Sequence, residues 1–336
     1  MTSRVTVVGA GSWGTSLAAV LAKNGHDTVL WALESDVVET VTGAHENKRF
    51  LPGIALPANL KASGDLEHSI ARAQVIVNVV PSQFVGRVME QAAPHVAKGA
   101  QVVSASKGIE TSTLRRMSEV LNSALGKSRM AGFTVISGPS FAAEVARETP
   151  TAVVAASADV DAAERVQKLF QNRYFRVYTN DDVVGVELGG ALKNVIALAA
   201  GMTSGLGFGH NTLAALITRG LAEMARLGQA MGAQASTFAG LAGMGDLVLT
   251  CTGELSRNRT VGVRLGRGDS LASILGEMSA VAEGVKTAQA AHELAVREGV
   301  EMPITSEVRA ILVDGRSPRE ALYSLMQRDP KPEEWS

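Results

Sequence analysis

Residues 5–25 read VTVVGAGSWGTSLAAVLAKNG, and this stretch decides the fold. Residues 5–8 form a compact apolar run of strand type. Good helix formers fill 15–23, and Asn24-Gly25 ends them. Between the two lies Gly9-Ala10-Gly11-Ser12-Trp13-Gly14. A bare G-x-G-x-x-G is a weak signal, but here it follows a strand and opens a helix, the context that dinucleotide binding requires. Gly9 permits the tight turn, Gly11 lets the backbone approach a pyrophosphate, and Gly14 lets helix and strand pack closely. The helix N-terminus then offers unpaired N–H groups to the anion. The plain alternative is a glycine-rich turn with no ligand. A second strand at 28–31 runs on into Leu33-Glu34. An acidic residue about 20 positions after the loop can hydrogen-bond an adenosine ribose, whereas a nearby Arg would favour a 2′-phosphate. Glu34 holds that place, and no Arg or Lys lies between Lys23 and Lys48. This leans towards NAD over NADP; an ordinary surface glutamate opening the next helix is the other reading.

Working outward, the β-α-β rhythm continues. Strand-like runs are expected at 75–80, 101–104, 134–136 and 152–155, with helical patterns at 84–96 and 160–172. Near Val183 the spacing changes to helical almost to the end, over 184–202, 212–231, 271–278, 285–297, 306–312 and 318–326. The expected fold class is α/β: an N-terminal Rossmann-type doubly wound sheet, residues 1–184, followed by an all-α C-terminal domain, residues 185–336. No Pro/Ser linker, internal repeat or low-complexity tract interrupts the chain.

The 336 residues carry 32 Lys plus Arg against 33 Asp plus Glu, a formal net charge of −1. That balance argues against bulk electrostatic binding to nucleic acid or to an anionic membrane surface. Hydrophobic residues at 46% and charged residues at 19% fit a globular chain, and 4% aromatics demand an aliphatic core. Cys251 is the single cysteine, so neither an intrachain disulfide nor a four-cysteine zinc site is available. A reducing, cytoplasmic setting is the expectation. The start of the chain lacks the pattern of a signal peptide. Residues 188–208 are long enough to span a bilayer, but Lys193, several glycines and the lack of basic flanks predict a buried helix instead. The six histidines are scattered without a ligand pair, so no metal is expected.

Lys193 is the only charged residue in 188–208. On a helical wheel it lies beside the apolar face, along a row that includes Gly189, Ala197 and Ala200. A desolvated lysine there suits proton exchange with an alcohol or carbonyl oxygen. A snorkelling structural lysine is the alternative. Asn194 follows and could bond the same substrate. Lys107, in Ser104-Ala105-Ser106-Lys107-Gly108, ends a parallel strand, where ligands of such sheets bind; a solvated loop lysine is equally common. Gly138-Pro139-Ser140 is another strand-end turn, in which Ser140 either caps the next helix or contacts substrate. Asp246 lies in a glycine-rich stretch beside an apolar run and needs a partner, for which Lys193 is the attractive one. Ser256, Arg257, Asn258 and Arg259 cluster donors that suit a phosphate, or else form a basic surface turn.

Taken together, GAGSWG (9–14), FLPGIALP (50–57), SKGIE (106–110), GPSFAAEVA (138–146), ELGGALKNVIALAAGM (187–202), NTLAALITRGLAEM (211–224), GLAGMGDLVLTC (240–251), SRNR (256–259) and VAEGV (281–285) resemble the soluble bacterial NAD(P)-dependent sn-glycerol-3-phosphate dehydrogenases along essentially the whole chain. ALKN and SRNR in this order are far more specific than the glycine loop. The resemblance implies Lys193 as proton donor and acceptor, with Asp246 as the carboxylate that orients it. It implies Lys107, Gly138 and Ser140 as substrate contacts, and Arg257 and Asn258 as the phosphate-binding pair, with Ser256 and Thr250 beside them. Ser12, Trp13, Ala142, Arg257, Val281 and Glu283 resemble cofactor-contacting positions, and Lys107 is placed where it also reaches the cofactor. The family fold is a Rossmann-type domain plus a helical domain, often dimeric, so a homodimer is expected.

Two positions depart from the pattern. Many bacterial members carry Arg or His near 33 and 34, where this chain has Leu33 and Glu34, a pattern nearer to that of NAD-linked eukaryotic members. His210 stands where an acidic residue or glycine is common. The implied reaction is reversible NAD(P)H-dependent reduction of dihydroxyacetone phosphate to sn-glycerol 3-phosphate, which feeds phospholipid synthesis. Two rivals stay open on the residues alone. One is a 3-hydroxy-acid dehydrogenase, which also uses a helix-borne lysine. The other is a cofactor-sensing protein without catalysis.

Overall fold

The computed structural model describes residues 2–130, 132–278, 282–330 and 332–333. The first part of the chain alternates strand and helix as β1 (Arg4–Val8), α1 (Ser12–Lys23), β2 (Asp27–Trp31), α2 (Ser35–Ala44), β3 (Lys61–Ser63), α3 (Leu66–Ile70), β4 (Val75–Asn78), α4 (Val85–Ala92), β5 (Gln101–Ser104), α5 (Met117–Leu125), β6 (Thr134–Ser137), α6 (Ala142–Ala146), β7 (Thr151–Ala156), α7 (Val160–Phe170) and β8 (Phe175–Asn180). The strands make one sheet in the order β3-β2-β1-β4-β5-β6-β7-β8. Every pairing is parallel except the antiparallel one between β6 and β7. The order reverses between β1 and β4, so the loop after β1 opens at a topological switch point, where ligands of such sheets bind.

Both sheet faces are covered, because β1, β4 and β5 are apolar on both sides. One face packs Val7, Val77 and Val103 against Leu17 and Leu21 of α1 and Val166 of α7. The other packs Val8, Ile76 and Val102 against Met89 of α4 and Leu121 of α5. Almost all of this core is aliphatic, as the low aromatic content requires. The expected Rossmann-type sheet is present, with two further strands. β3 is three residues long, and β8 alternates buried Phe175 and Val177 with exposed Arg176 and Tyr178, as an edge strand does.

From Val183 the chain is helical: α8 (Val183–Gly205), α9 (His210–Ala230), α10 (Ala235–Ala239), α11 (Asp246–Thr252), α12 (Arg257–Arg267), α13 (Leu271–Glu277), α14 (Glu283–Arg297), α15 (Pro303–Asp314) and α16 (Pro318–Met326). Three of them, α10, α11 and α12, lie outside the helical spans expected from the sequence; α11 falls in the stretch read as glycine-rich beside an apolar run, and α12 begins at the donor cluster. Contacts divide the molecule into two compact units. One comprises the residues up to Lys107 with Arg116–Val183, and the other Gly108–Arg115 with the residues from Val184 onward. Ile109 is buried in the helical core.

α8 is apolar all round, and such a helix belongs inside a fold. It is long and apolar enough to cross a membrane, but it is mostly buried inside the protein. Its glycines let α12 come unusually close. A Cβ at Gly201 would stand 2.1 Å from the Arg259 carbonyl, and one at Gly262 the same distance from the Leu198 carbonyl. Gly205 and Gly266 repeat the contact one turn along. Two small-xxx-small ridges therefore interlock, and they set where the N-terminus of α12 lies along α8.

Candidate active site: a glycine loop and a buried lysine

In the sheet unit, the loop after β1 has the backbone its glycines allow. Gly9 sits at φ +111°, a conformation that L side chains resist, and donates its N–H to the Trp31 carbonyl at 3.1 Å. A Cβ at Gly14 would fall 1.9 Å from the Gly9 carbonyl, so glycine is required there for packing. A Cβ at Gly11 would meet nothing within 4 Å. Gly11 is the N-cap of α1 and brings no side chain to satisfy the first-turn N–H groups of Ser12 and Trp13. The indole N–H of Trp13 is buried without an acceptor among the described residues. An open approach, a positive helix end and an orphaned donor suit the diphosphate of a dinucleotide. Glu34 is the N-cap of α2 but makes no capping hydrogen bond, and Leu33 beside it is largely exposed.

Three further predicted residues meet at one carbonyl. Lys107 Nζ donates to the Gly138 carbonyl at 3.2 Å, and Ser140 Oγ donates to the same oxygen at 2.9 Å. Of the two roles open to Ser140, the helix cap is not the one seen: α6 has Phe141 as its N-cap and no side-chain cap bond. Ala142, the first residue of α6, accepts a hydrogen bond from Ser16 Oγ of α1 at 2.8 Å, which ties this turn to the glycine-loop helix. The turn carrying Lys107 is held from beneath. Asn78, ending β4, donates to Ser106 Oγ at 3.0 Å, and that hydroxyl donates to the Val80 carbonyl at 2.6 Å.

In the helical unit, Lys193 is 6% exposed and Asp246 is 1% exposed. Lys193 Nζ donates to Asp246 Oδ1 at 2.5 Å and to Thr250 Oγ1 at 2.9 Å. Thr250 Oγ1 donates to the Asp246 carbonyl at 2.6 Å. Two local features make the pairing possible. The chain before α11 makes a wide turn, with the Gly245 N–H reaching the Gly240 carbonyl. That turn rests on Gly189, one helical turn before Lys193, where a Cβ would stand 2.5 Å from the Ala242 carbonyl. Asp246 thereby begins α11 within reach of the lysine, and its negative charge is favoured at a helix N-terminus. Cys251 follows in α11. Burial pushes its thiol up to about 12, outweighing the pull of Lys193 and Arg259, so it stays protonated and inert.

Asn194 and Asn258 form a second pair. Asn258 Nδ2 donates to Asn194 Oδ1 at 2.9 Å, and Asn258 Oδ1 accepts the Gly284 N–H at 3.0 Å. With its carbonyl oxygen occupied, Asn194 keeps amide donors for a ligand. The SRNR segment begins α12 rather than forming a surface turn. Ser256 caps that helix by accepting the Arg259 N–H at 3.2 Å, Arg257 is exposed at its first position, and Asn258 is buried. Glu283 is the first residue of α14. Val281 lies outside the described residues, and His210 is exposed at the start of α9. The sequence reading passed over Gly284 and Asn78. A Cβ at Gly284 would stand 2.7 Å from the Asn194 carbonyl. A glycine at a helix start and an asparagine ending the otherwise apolar run VIVN were their only signals.

Comparison with known proteins points one way. The family models described as the N-terminus and the C-terminus of NAD-dependent glycerol-3-phosphate dehydrogenase match residues 4–163 and 182–323. The glycerol-3-phosphate dehydrogenase (NAD(P)+) of Geobacter metallireducens is 59% identical over 333 residues, covering 99% of each chain. The protein of the same name from Lysinibacillus sphaericus is 50% identical over 330 residues, covering 98% of each chain. The crystal structure of glycerol-3-phosphate dehydrogenase from Coxiella burnetii superposes with a TM-score of 0.93 at 40% identity, covering 97% of this chain and 99% of that one.

Proposed function

Since the chain belongs to the NAD-dependent glycerol-3-phosphate dehydrogenase family, and is an oxidoreductase for NAD(P)H-dependent reduction of dihydroxyacetone phosphate, we propose that Lys193 is its proton donor and acceptor. The observation that carries this is the buried ammonium of Lys193, held at 2.5 Å by Asp246 and at 2.9 Å by Thr250. In reduction it gives a proton to the oxygen on C2 as negative charge grows there; in oxidation it takes the proton back. Asp246 fixes the ammonium by a charge-assisted hydrogen bond, and Thr250 limits its swing. Asn194, its amide oriented by Asn258, donates to the same oxygen. Arg257 and Asn258 at the start of α12, with Ser256, hold the phosphate, so binding energy remote from C2 orients it. Lys107, Gly138 and Ser140 complete the substrate contacts.

When bound, the nicotinamide supplies or accepts the hydride at C2. Its dinucleotide would be held by Gly9, Gly11, Ser12, Trp13 and Gly14, with Ala142, Lys107, Arg257, Val281 and Glu283 as further contacts. Glu34 takes the ribose hydroxyls and disfavours a 2′-phosphate, so NAD is the preferred cofactor. In this reading residues 1–184 form the dinucleotide-binding domain, which also lends Lys107, Gly138 and Ser140 to the substrate, and 185–336 form the domain of the phosphate contacts and proton chemistry, which also lends Arg257, Val281 and Glu283 to the cofactor. The product, sn-glycerol 3-phosphate, supplies glycerophospholipid synthesis in the cytoplasm, and the working unit is a homodimer.

The test is an absorbance assay with dihydroxyacetone phosphate, run in parallel with NADH and NADPH and with unphosphorylated dihydroxyacetone as control. Turnover that needs the phosphate and runs faster with NADH is expected. Equal turnover of the unphosphorylated ketone would remove the phosphate role of Arg257 and Asn258, and a preference for NADPH would overturn the role given to Glu34.

A further inference from the structure

Asn47 has no role in any reading above, yet it is wholly buried and its whole amide is engaged. Its Nδ2 donates to the Ala10 carbonyl at 2.9 Å and to Thr15 Oγ1 at 2.8 Å. Its Oδ1 accepts the Phe50 N–H at 3.0 Å. Thr15 Oγ1 donates to the same Ala10 carbonyl at 3.2 Å. The hydroxyl has one proton and spends it on Ala10, so it must accept from Asn47, which fixes the orientation of the amide. Two side chains from different segments thus draw one loop carbonyl inward.

That carbonyl belongs to the peptide joining Ala10 to Gly11. In a planar trans peptide the C=O and the following N–H point in opposite directions. Drawing the Ala10 oxygen inward therefore turns the Gly11 N–H outward, on the residue whose Cβ position is open space. We propose that Asn47 is a positioning residue for the dinucleotide: it holds the Ala10–Gly11 peptide so that the Gly11 N–H faces the cofactor diphosphate. This rests on the reading that the glycine loop holds the diphosphate. Asn47 touches no cofactor atom in this account, and it acts through the peptide it pins. Because the diphosphate is common to both cofactors, the effect is blind to the 2′-phosphate.

The experiment uses full-length Asn47→Asp, which keeps the shape but replaces the amide donors with an anion facing the Ala10 carbonyl. Cofactor affinity is read from NADH and NADPH fluorescence titrations, alongside steady-state kinetics and circular dichroism. NADH and NADPH binding should weaken by the same factor, roughly tenfold or more for a misdirected hydrogen bond to a charged group. At saturating NADH, kcat and the KM for dihydroxyacetone phosphate should stay at wild-type values, a split that general loss of structure does not produce. A folded variant with wild-type NADH affinity would overturn the proposal. Should Asn47→Asp fail to fold, Asn47→Ser takes its place: it removes the amide donor to the Ala10 carbonyl without burying a charge, and wild-type NADH affinity in it would equally refute the idea. Gly11→Val, which places a side chain in the open approach, separates the premise from the proposal. If it binds NADH normally, the loop is not the diphosphate site and both fall. If it weakens binding while Asn47→Asp does not, the proposal alone falls.

Discussion

Replacing Lys193 by Met, Asp246 by Leu, and both together distinguishes a catalytic lysine from a structural one. Both groups lie in the core, at 6% and 1% exposure, and each is the other's charge partner. Removing either alone strands an ion in an apolar helix packing, which costs about 3–5 kcal/mol for a buried pair. For a unit of this size each kcal/mol lowers the melting temperature by roughly 2–4 °C, so each single variant should lose roughly 6–20 °C. The double variant buries neither charge and should regain most of that loss, because apolar replacement of a whole buried pair is near neutral. Activity should behave differently. A positioned general acid is worth about 10²–10⁴ in rate, so kcat should fall by that factor in Lys193→Met and stay there in the double variant. The assays are thermal melts by circular dichroism and initial rates with saturating NADH and dihydroxyacetone phosphate. A double variant that recovers turnover together with stability would show the lysine to be structural. Single variants that melt like the wild type would refute the buried pair itself.

Other outcomes follow from the same geometry. Gly262→Ala drives a Cβ to 2.1 Å from the Leu198 carbonyl, so α8 and α12 must part; urea unfolding should show a loss of about 1–3 kcal/mol, with a raised KM for dihydroxyacetone phosphate. Gly43→Ala on α2, with nothing within 4 Å, is the control and should be neutral or stabilising. Glu223 is buried in α9 and accepts the Ile304 and Thr305 N–H groups that begin α15. Burial lifts its carboxyl to about 7 against those hydrogen bonds, so the folded state favours the protonated form. The stabilisation is then full below the unfolded pKa near 4.5 and is lost as pH rises through about 7, a change of about 3 kcal/mol. Unfolding midpoints across that range should lose this dependence in Glu223→Gln, and an unchanged profile would contradict it. Cys251, buried with its thiol pushed up to about 12, should resist alkylation in mildly alkaline buffer until the protein is unfolded; rapid native labelling would disprove its burial.

Much of the architecture could be read from local pattern. β5 (Gln101–Ser104) and α16 (Pro318–Met326) have the bounds the sequence reading gave them. The apolar 23-residue α8 proved to be a core helix, as its lone lysine and glycines suggested. The misses share a cause. β3 has three residues, too few for a period to register, and β8 has a short alternation in which Arg176 and Tyr178 alternate with its two buried apolar residues. α11 follows the glycine-rich run 240–245, and α12 is rich in arginine; both helices pack against α8. Ser256 was legible as a donor but not as the cap of α12, because a cap is defined only once its helix exists.

By itself the sequence determined the strand–loop–helix at the start, the change from β-α alternation to helix near Val183, and the residue types able to carry a hydride-transfer site. Those are local properties: side-chain period, backbone freedom at glycine, and the chemistry of each group. Only the tertiary structure decided which groups meet. Lys193 finds Asp246 across 53 residues, and Asn258 finds Asn194 across 64. Both meetings depend on helices brought to van der Waals contact at glycines, whose spacing in the sequence does not say which helix they will meet. Ser140 and Lys107 likewise share the Gly138 carbonyl because β5 and β6 lie side by side in the sheet. The partners of a buried polar group are set by the desolvation cost of leaving it alone, and that cost exists only once the chain has packed.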